Sequence, residues 1–213
     1  MSEVNLLEQV ANKKIDKVEM AENVMQNPEL IPELFQGLRS KKADIKYGCD
    51  KILRLISDQR PELLYSKIDF FIEALGSENN FLKWGAIHIL ANLTVVDCEC
   101  KFEKIIDCYF EPIPGPVLVT AANVIKNAAK IVQAKPALTE TIVAKILPVE
   151  KARYRTDECR NIALGQAIDA FAKFYPQIQN KTAVEKLIKK QLQNTRSSTR
   201  KKAEKFVRKF AIS

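Results

Sequence analysis

The sequence predicts an all-α fold made of stacked helix pairs. Apolar residues recur at helical spacing along almost the whole chain, and no alternation of apolar and polar residues persists long enough for a β-strand. Only six of the 213 residues are glycine. A third observation is an internal repeat of about 40 residues, a length typical of one helix pair in helical-repeat proteins.

Proline and turn-forming residues divide the chain into helices of about 10 to 20 residues. Several of these prolines can open a helix, because the N–H groups of the first turn have no partner within the helix. The predicted breaks are Asn27-Pro28, Arg60-Pro61, residues 112–116, Lys135-Pro136, Tyr175-Pro176 and residues 194–198.

The repeat is marked by a mid-sized residue, a cation and, three positions after the cation, a small residue. This pattern aligns the segments that begin at Ile45, Leu82, Cys159 and Thr199, and Leu118 fits with Val119 in place of the cation. The marker positions 46, 83, 119, 160 and 200 are separated by 37, 36, 41 and 40 residues. Small residues in these segments should let neighbouring helices approach closely. They are Gly48, Gly85, Ala122, Ala163 and Ala203.

The chain resembles the HEAT-repeat family over roughly residues 28–211. The stretch from Leu30 through Pro32 to Leu38 is similar to the first helix of such a repeat, and the cation-plus-alanine segments are similar to the second. The resemblance implies one domain over residues 1–213, a right-handed, armadillo-like α-solenoid of about five helix pairs behind an N-terminal helical cap. The cap is placed at 1–27 and the repeats at 28–57, 61–96, 101–133, 136–175 and 180–211.

One position departs from the family pattern. The aspartate that usually accompanies the arginine in the turn between the two helices is absent, and Ser40, Ser77 and Asn194 lie near that place. The polar ladder that joins neighbouring repeats is therefore expected to be incomplete.

Residue types that carry catalysis or bind cofactors are scarce. The single histidine, His88, lies mid-helix between isoleucines, and the scattered glycines form neither a P-loop nor a dinucleotide fingerprint. Cys98, Cys100 and Cys108 cluster, but the nearest fourth ligand is His88, so free thiols are favoured over a zinc site. We expect no cofactor, no metal and no small-molecule substrate.

The chain is expected to be cytoplasmic. Its five cysteines are an odd number, which suits a reducing compartment. The first residues, Met1 to Asn5, lack the basic and apolar regions of a signal peptide, and no apolar run approaches the roughly 20 residues needed to cross a bilayer.

Positive charge is concentrated at the C-terminal end. Residues 173–213 contain twelve cations and two acids, a net charge of +10, so the first 172 residues carry −2 of the chain's total of +8. On the last helix a buried stripe is predicted at Ala203, Phe206, Val207 and Phe210. The candidate polyanion-binding cations are Lys201, Lys205 and Arg208 opposite this stripe, and Lys202 and Lys209 on one flank. The alternatives are a solvated polar cap, a nucleic-acid or other polyanion site and, third, a membrane-surface contact.

The function favoured by the sequence is a non-enzymatic scaffold that binds another protein. The second helices of the repeats would line a concave face, with Lys46, Lys83 and Arg160 near one edge and Trp84 as an anchor. Nucleic-acid binding through the basic C-terminal repeat is the alternative. A HEAT-like DNA glycosylase is a second alternative, but its set of aromatic residues and an acid in a basic groove is not found in this sequence.

Overall fold

The structure, a computed structural model, describes residues 6–12 and 14–212, and all the regular elements in these ranges are helical. The α-helices in these ranges are α1 (Leu6–Ala11), α2 (Lys17–Gln26), α3 (Ile31–Leu38), α4 (Ala43–Gln59), α5 (Glu62–Tyr65), α6 (Ile68–Leu75), α7 (Asn80–Leu93), α8 (Lys101–Phe110), α9 (Leu118–Ala134), α10 (Thr139–Ile146), α11 (Asp157–Phe174), α12 (Thr182–Gln191) and α13 (Ser197–Phe210). The predicted all-α class is confirmed. The prediction about Met1 to Asn5 lies outside the described residues.

The predicted breaks fall between helices, except that the break at residues 194–198 includes the first two residues of α13. Pro28, Pro136 and Pro176 each open or follow the start of a 3-10 turn, where a missing N–H costs nothing. Two of the long helices end on a backbone bond that satisfies one of their last carbonyls: the Arg60 N–H donates to the Ile56 oxygen at 2.7 Å and the Lys135 N–H to that of Ile131 at 2.8 Å.

Helices α1 to α7 belong to the first of two compact units, Met1–Cys98. Within it, α3 pairs with α4, α6 pairs with α7, and the second helices α4 and α7 pack against each other. Helices α1 and α2 both lie on α4. The core between these helices includes Leu34, Ile52, Ile56, Phe71 and Leu90, all buried.

Helices α8 to α13 belong to the second unit, Glu99–Ser213. Here α11 lies between α9 and α13, and α12 pairs with α13. Aromatic side chains fill much of the core, namely Phe102, Tyr109, Phe110, Phe171, Phe174 and Phe206. The long second helices are therefore the framework of each unit, with shorter first helices packed on one side.

The Pro-rich break at residues 112–116 is fixed by contacts with the segment before α11. The Arg153 N–H donates to the Pro114 oxygen at 2.8 Å, and the Tyr154 hydroxyl donates to the Ile113 oxygen. Gly115 has φ +114°, and a Cβ there would stand 2.5 Å from the Arg153 oxygen. Only glycine fits this position without strain.

The small residues of the repeat segments lie at close helix contacts, with one exception. A Cβ added to Gly48 would stand 2.4 Å from Val10 of α1, and one added to Gly85 would stand 2.0 Å from Asp50 of α4. Ala163 and Ala203 are fully buried. The prediction for Ala122 was wrong: it is half-exposed, and its neighbour Ala121 is buried instead. The repeat in α9 is offset by one position because α9 begins at Leu118, directly after the Pro-rich break.

The division into an N-terminal cap and five repeats of one right-handed solenoid stays a prediction.

No described helix combines the length and apolar character that a membrane crossing requires.

Enlarging a buried alanine should overpack these helix contacts. Ala86 is 1% exposed and Ala163 is 0% exposed, so Ala86→Leu and Ala163→Leu should each lower the free energy of unfolding by about 1 to 3 kcal/mol. Denaturant midpoints for both variants test this, with Ala144→Leu on the exposed side of α10 as the control. An unchanged midpoint in the Ala163→Leu variant would contradict the close packing described here.

Candidate interaction surfaces

A pair of aromatic rings, the exposed Tyr47 and the half-buried Phe81, lies where α4 and α7 begin. Tyr47 is 51% exposed, and its ring centroid lies 4.2 Å from that of Phe81. Water normally contacts few side chains of this size outside binding sites, because burying an aromatic ring is strongly favourable. Tyr47 is therefore available to a partner, while the contact with Phe81 holds it in place.

Three of the predicted partner-binding residues lie close to this pair in sequence. Lys46 precedes Tyr47 on α4, and Lys83 and Trp84 follow Phe81 on α7; all three are half-buried. We call Lys46, Tyr47, Phe81, Lys83 and Trp84 the aromatic patch. The structure places the fourth predicted residue, Arg160, in the other unit, on α11, where its guanidinium pairs with Asp157 at 2.7 Å.

The sequence prediction missed Tyr47. The repeat alignment contains the signal, because matching Lys46 with Lys83 also matches Tyr47 with Trp84. The match does not by itself distinguish a surface position from a core position, because Tyr47 is exposed and Trp84 is half-buried.

A depression opens beside Tyr47. Its volume is about 390 Å³, enough for one or two side chains of a partner. The turn between α1 and α2 forms one wall and α4 the other. The lining combines apolar and small residues with two acids and two lysines, namely Val10, Ala11, Ile15, Asp16, Lys17, Asp44, Tyr47, Gly48 and Lys51. The Lys17 ammonium donates to the backbone oxygens of Asn12 at 3.0 Å and Ile15 at 3.1 Å, which fixes this turn.

A buried carboxylate lies behind the aromatic patch. Asp50 on α4 is 3% exposed and faces Gly85 on α7. Burial raises its pKa to about 6, although the Arg54 guanidinium, 2.8 Å from a carboxylate oxygen, opposes the shift. Because Arg54 is partly exposed and Asp50 is not, the pair contributes little stability.

The second unit contains a polar ladder between α11 and α13, where the sequence led us to expect an incomplete one. The Asn194 side-chain amide donates to Asn161 Oδ1 at 3.0 Å and to Gln191 Oε1 at 2.8 Å, while its oxygen accepts the Arg196 N–H at 2.8 Å. The Thr199 hydroxyl donates to the Asn161 backbone oxygen at 2.7 Å. The Asn194 side chain joins the turn before α13 to α11 and α12, because its amide can donate as well as accept.

In the first unit the corresponding serines act only within their own turns. Ser40 Oγ accepts the Lys42 N–H and Ser77 Oγ accepts the Asn79 N–H, both at 3.1 Å. These bonds support the starts of α4 and α7.

The five predicted polyanion-binding cations separate into two groups. Lys202 pairs with Asp169 at 2.6 Å, and the Lys209 ammonium donates to the Ala172 oxygen at 3.4 Å, so both are engaged with α11. Lys201, Lys205 and Arg208 are exposed, and none of them forms an ion pair with a described residue. Three of the five cations are thus free of ion pairs with described residues, and polyanion binding by the set of five stays a prediction.

Of the four residues predicted to form the buried stripe of α13, two are buried and two are half-buried. Ala203 and Phe206 are buried, whereas Val207 and Phe210 are half-buried. The Phe206 and Phe210 rings both contact Tyr175, at centroid distances of 5.0 and 4.5 Å. One edge of the apolar stripe of α13, at Val207 and Phe210, is therefore partly open to water.

The residues considered for metal binding or catalysis are dispersed. Cys98, Cys100 and Cys108 are exposed free thiols, and the described residues contain no group of three or more histidine, cysteine or acidic side chains placed to hold a metal ion. Cys49 is buried, and burial raises the pKa of its thiol to about 12, so it stays protonated. His88 is half-buried on α7.

Comparisons with known proteins point to a fold and not to a family. No protein-family model matches the chain, and the search of curated proteins finds no match. Among solved structures, the chain is similar to a designed armadillo repeat protein at 16% identity, with 96% of this chain and 90% of that chain covered and a TM-score of 0.58. It is also similar to an engineered protein at 15% identity, with 97% and 87% covered and a TM-score of 0.55.

At these identities the likeness establishes the fold alone. The resemblance to HEAT repeats in particular stays a prediction. The chain is an all-α helical-repeat protein of the solenoid class.

Proposed function

We propose that the protein is a non-enzymatic scaffold that binds an acidic segment of another protein at the aromatic patch. The observation that carries the proposal is Tyr47, which is 51% exposed although its ring is held against Phe81. Tyrosine and tryptophan dominate the binding energy of protein interfaces, because they bury a large area at a small cost in side-chain entropy.

Charge around the aromatic patch favours an acidic partner. Lys46 and Lys83 are near the aromatic residues in sequence, and Lys42 and Lys51 are exposed just before and within α4. These four cations outnumber the two acids Asp16 and Asp44 that line the neighbouring depression. Cations at the rim of an interface raise the association rate and reject basic partners, while the apolar centre supplies most of the affinity. A partner that presents glutamate or aspartate around a large apolar side chain would satisfy both features.

The depression beside Tyr47 gives the apolar side chain a place to bind. It holds about 390 Å³ and has the aliphatic side chains of Val10 and Ile15 in its walls. Concave, mostly apolar sites next to a rigid aromatic ring are typical positions for an anchoring side chain. The proposal requires no catalytic step, cofactor or metal.

We also propose that the protein acts in the cytoplasm. Its five cysteines are free thiols, and three of them are exposed, which suits a reducing compartment.

The test uses the only tryptophan of the chain as a reporter. Trp84 belongs to the aromatic patch, so a bound peptide should change its emission. The probe is a synthetic peptide with leucine and phenylalanine among glutamates. Tyr47→Ala should weaken its binding about tenfold, equivalent to about 1.4 kcal/mol.

Two controls define the outcome. Val95→Ala removes another exposed apolar side chain of the same unit, 69% exposed, and should leave the affinity within about twofold. A peptide with lysine in place of glutamate should bind far more weakly. Equal affinity of the wild type and the Tyr47→Ala variant for the acidic peptide, or failure of that peptide to bind, would refute the proposal.

A further inference from the structure

We propose that a second surface, on the open side of α9, α11 and α13, binds the phosphate backbone of a nucleic-acid duplex. This surface lies in the unit Glu99–Ser213, whereas the aromatic patch lies in Met1–Cys98. The inference is independent of the proposed protein binding, because it rests on different residues and a different kind of interaction.

Several cations of the C-terminal segment already have partners within the protein. Lys190 pairs with Glu150 at 2.5 Å, Arg196 pairs with Glu158, and Lys202 pairs with Asp169 at 2.6 Å. The Arg200 guanidinium donates to the Asn194 oxygen, and the Lys181 ammonium lies over the Tyr175 ring. Nearly half of the cations of the C-terminal segment therefore contact groups of the protein itself. The net charge of the segment is larger than the charge that is available to a ligand.

The available cations on α13 form one stripe. Lys201, Lys205 and Arg208 follow the spacing i, i+4, i+7, which places them on one side of a helix. The opposite side is fixed by the buried Ala203 and Phe206. The Lys201 and Lys205 Cα atoms are one helical turn apart, about 6 Å along the axis.

The stripe does not end at α13. Lys126 on α9 and Lys173 on α11 are also exposed, and neither pairs with a described residue. We call Lys126, Lys173, Lys201, Lys205 and Arg208 the lysine face.

The packing makes the three long helices neighbours, because α11 contacts both α9 and α13. Lys173 lies one helical turn after Asp169, which pairs with Lys202 of α13, so the exposed stripes of α11 and α13 adjoin. The proposed surface continues onto the exposed stripe of α9, which includes Lys126. The carboxylate of Asp169 on α11 is bound by Lys202, so it offers little repulsion to an approaching anion. Glu204, exposed beside Lys205 on α13, removes one charge from the positive total of this surface.

The dimensions and chemistry fit a duplex backbone. Packed helices are about 8 to 10 Å apart, so three of them span roughly 20 Å, the length of about six base pairs. Lysines act on phosphates as point charges without reading sequence. Single strands are usually held by stacking on exposed aromatic rings, whereas the aromatic residues of α13, Phe206 and Phe210, pack against Tyr175. A double strand is therefore the better match.

The experiment measures fluorescence anisotropy of a short labelled DNA duplex across a salt series. Five phosphate contacts predict a slope of log affinity against log salt of about −4 to −5. Lys205→Gln/Arg208→Gln should weaken binding about tenfold or more and reduce the slope by about 2. Lys126→Gln/Lys173→Gln should have a similar effect, because both pairs contribute to one surface.

The matched control is Lys190→Gln/Arg196→Gln, which removes the same two charges from cations that already have acidic partners. This variant should bind the duplex within about threefold of the wild type. Circular dichroism melts establish that all three double variants are folded.

Several results would overturn the inference. They are equal losses in the control and test variants, no effect of Lys126→Gln/Lys173→Gln, tighter binding of the corresponding single strand, or binding to phosphatidylserine vesicles in preference to the duplex. Absence of duplex binding at low salt would also overturn it, and would leave the peptide titration at the aromatic patch unaffected.

Discussion

Replacing Asp50 by asparagine is expected to raise the free energy of unfolding near neutral pH by about 2 to 3 kcal/mol. Burial raises the pKa of Asp50 from its ordinary value of 3.8 to about 6. The folded protein therefore holds this proton more tightly than the unfolded chain does, and ionising the carboxylate costs stability. Asparagine has nearly the same shape but no charge, so the contact with Gly85 is kept.

The same shift fixes how the contribution of Asp50 depends on pH. The destabilisation caused by the Asp50 carboxylate is absent below the unfolded pKa of 3.8. It grows as pH rises from about 4 to about 6 and is constant above that range. The stability difference between the variant and the wild type should thus be small at about pH 4 and full at about pH 7.

Urea unfolding of both proteins at these two pH values tests the prediction. The Arg54 side chain is 40% exposed as a whole, but its Nε, which pairs with Asp50, is buried. Loss of the ion pair should cost little, because the asparagine side-chain oxygen can still accept the Nε–H. Glu22→Gln on the exposed side of α2 is the control and should change stability by less than about 0.5 kcal/mol. An Asp50→Asn variant less stable than the wild type near neutral pH would mean that the carboxylate is a net stabilising group.

Replacing Asn194 by alanine should lower the free energy of unfolding by about 2 to 4 kcal/mol. Asn194 is 8% exposed, and its side chain joins Asn161, Gln191 and the Arg196 backbone. Alanine would leave the oxygens of Asn161 and Gln191 without their shared donor, in a region where water is largely excluded. Unsatisfied buried polar groups of this kind are among the costliest results of a single substitution.

Thermal and denaturant unfolding measure this loss, with Asn180→Ala as the control. Asn180 is exposed in the loop before α12, so its replacement should be nearly neutral. A small effect at position 194, comparable to that at 180, would show that the ladder between α11 and α13 is not a stabilising feature.

Sequence patterns predicted the helices well because helix boundaries are largely local. Asn27-Pro28 and Lys135-Pro136 end one helix and open the next whatever surrounds them. The buried places of Ala163 and Ala203 also followed from spacing alone. Spacing did not predict the one-residue offset that buries Ala121 in place of Ala122. This offset depends on how the Pro-rich loop closes against Arg153.

The candidate surfaces were harder to predict because they depend on partners distant in the chain. Spacing placed Lys202 and Lys209 beside Lys205, but only the fold brings Asp169 and the Ala172 oxygen to those two lysines. Tyr47 lies on a helix rich in apolar residues, and its exposure follows from which side of α4 faces α1 and α7. Long-range packing therefore decides which of many similar residues are available for binding.

The central claim is that a helical-repeat scaffold carries two independent binding surfaces, and one paired measurement tests it most directly. Affinities for the acidic peptide and for the DNA duplex are determined for the wild type, Tyr47→Ala and Lys205→Gln/Arg208→Gln. We expect Tyr47→Ala to lose about tenfold for the peptide and little for the duplex, and the double variant to show the reverse. Parallel losses for both ligands in either variant would contradict two separate surfaces.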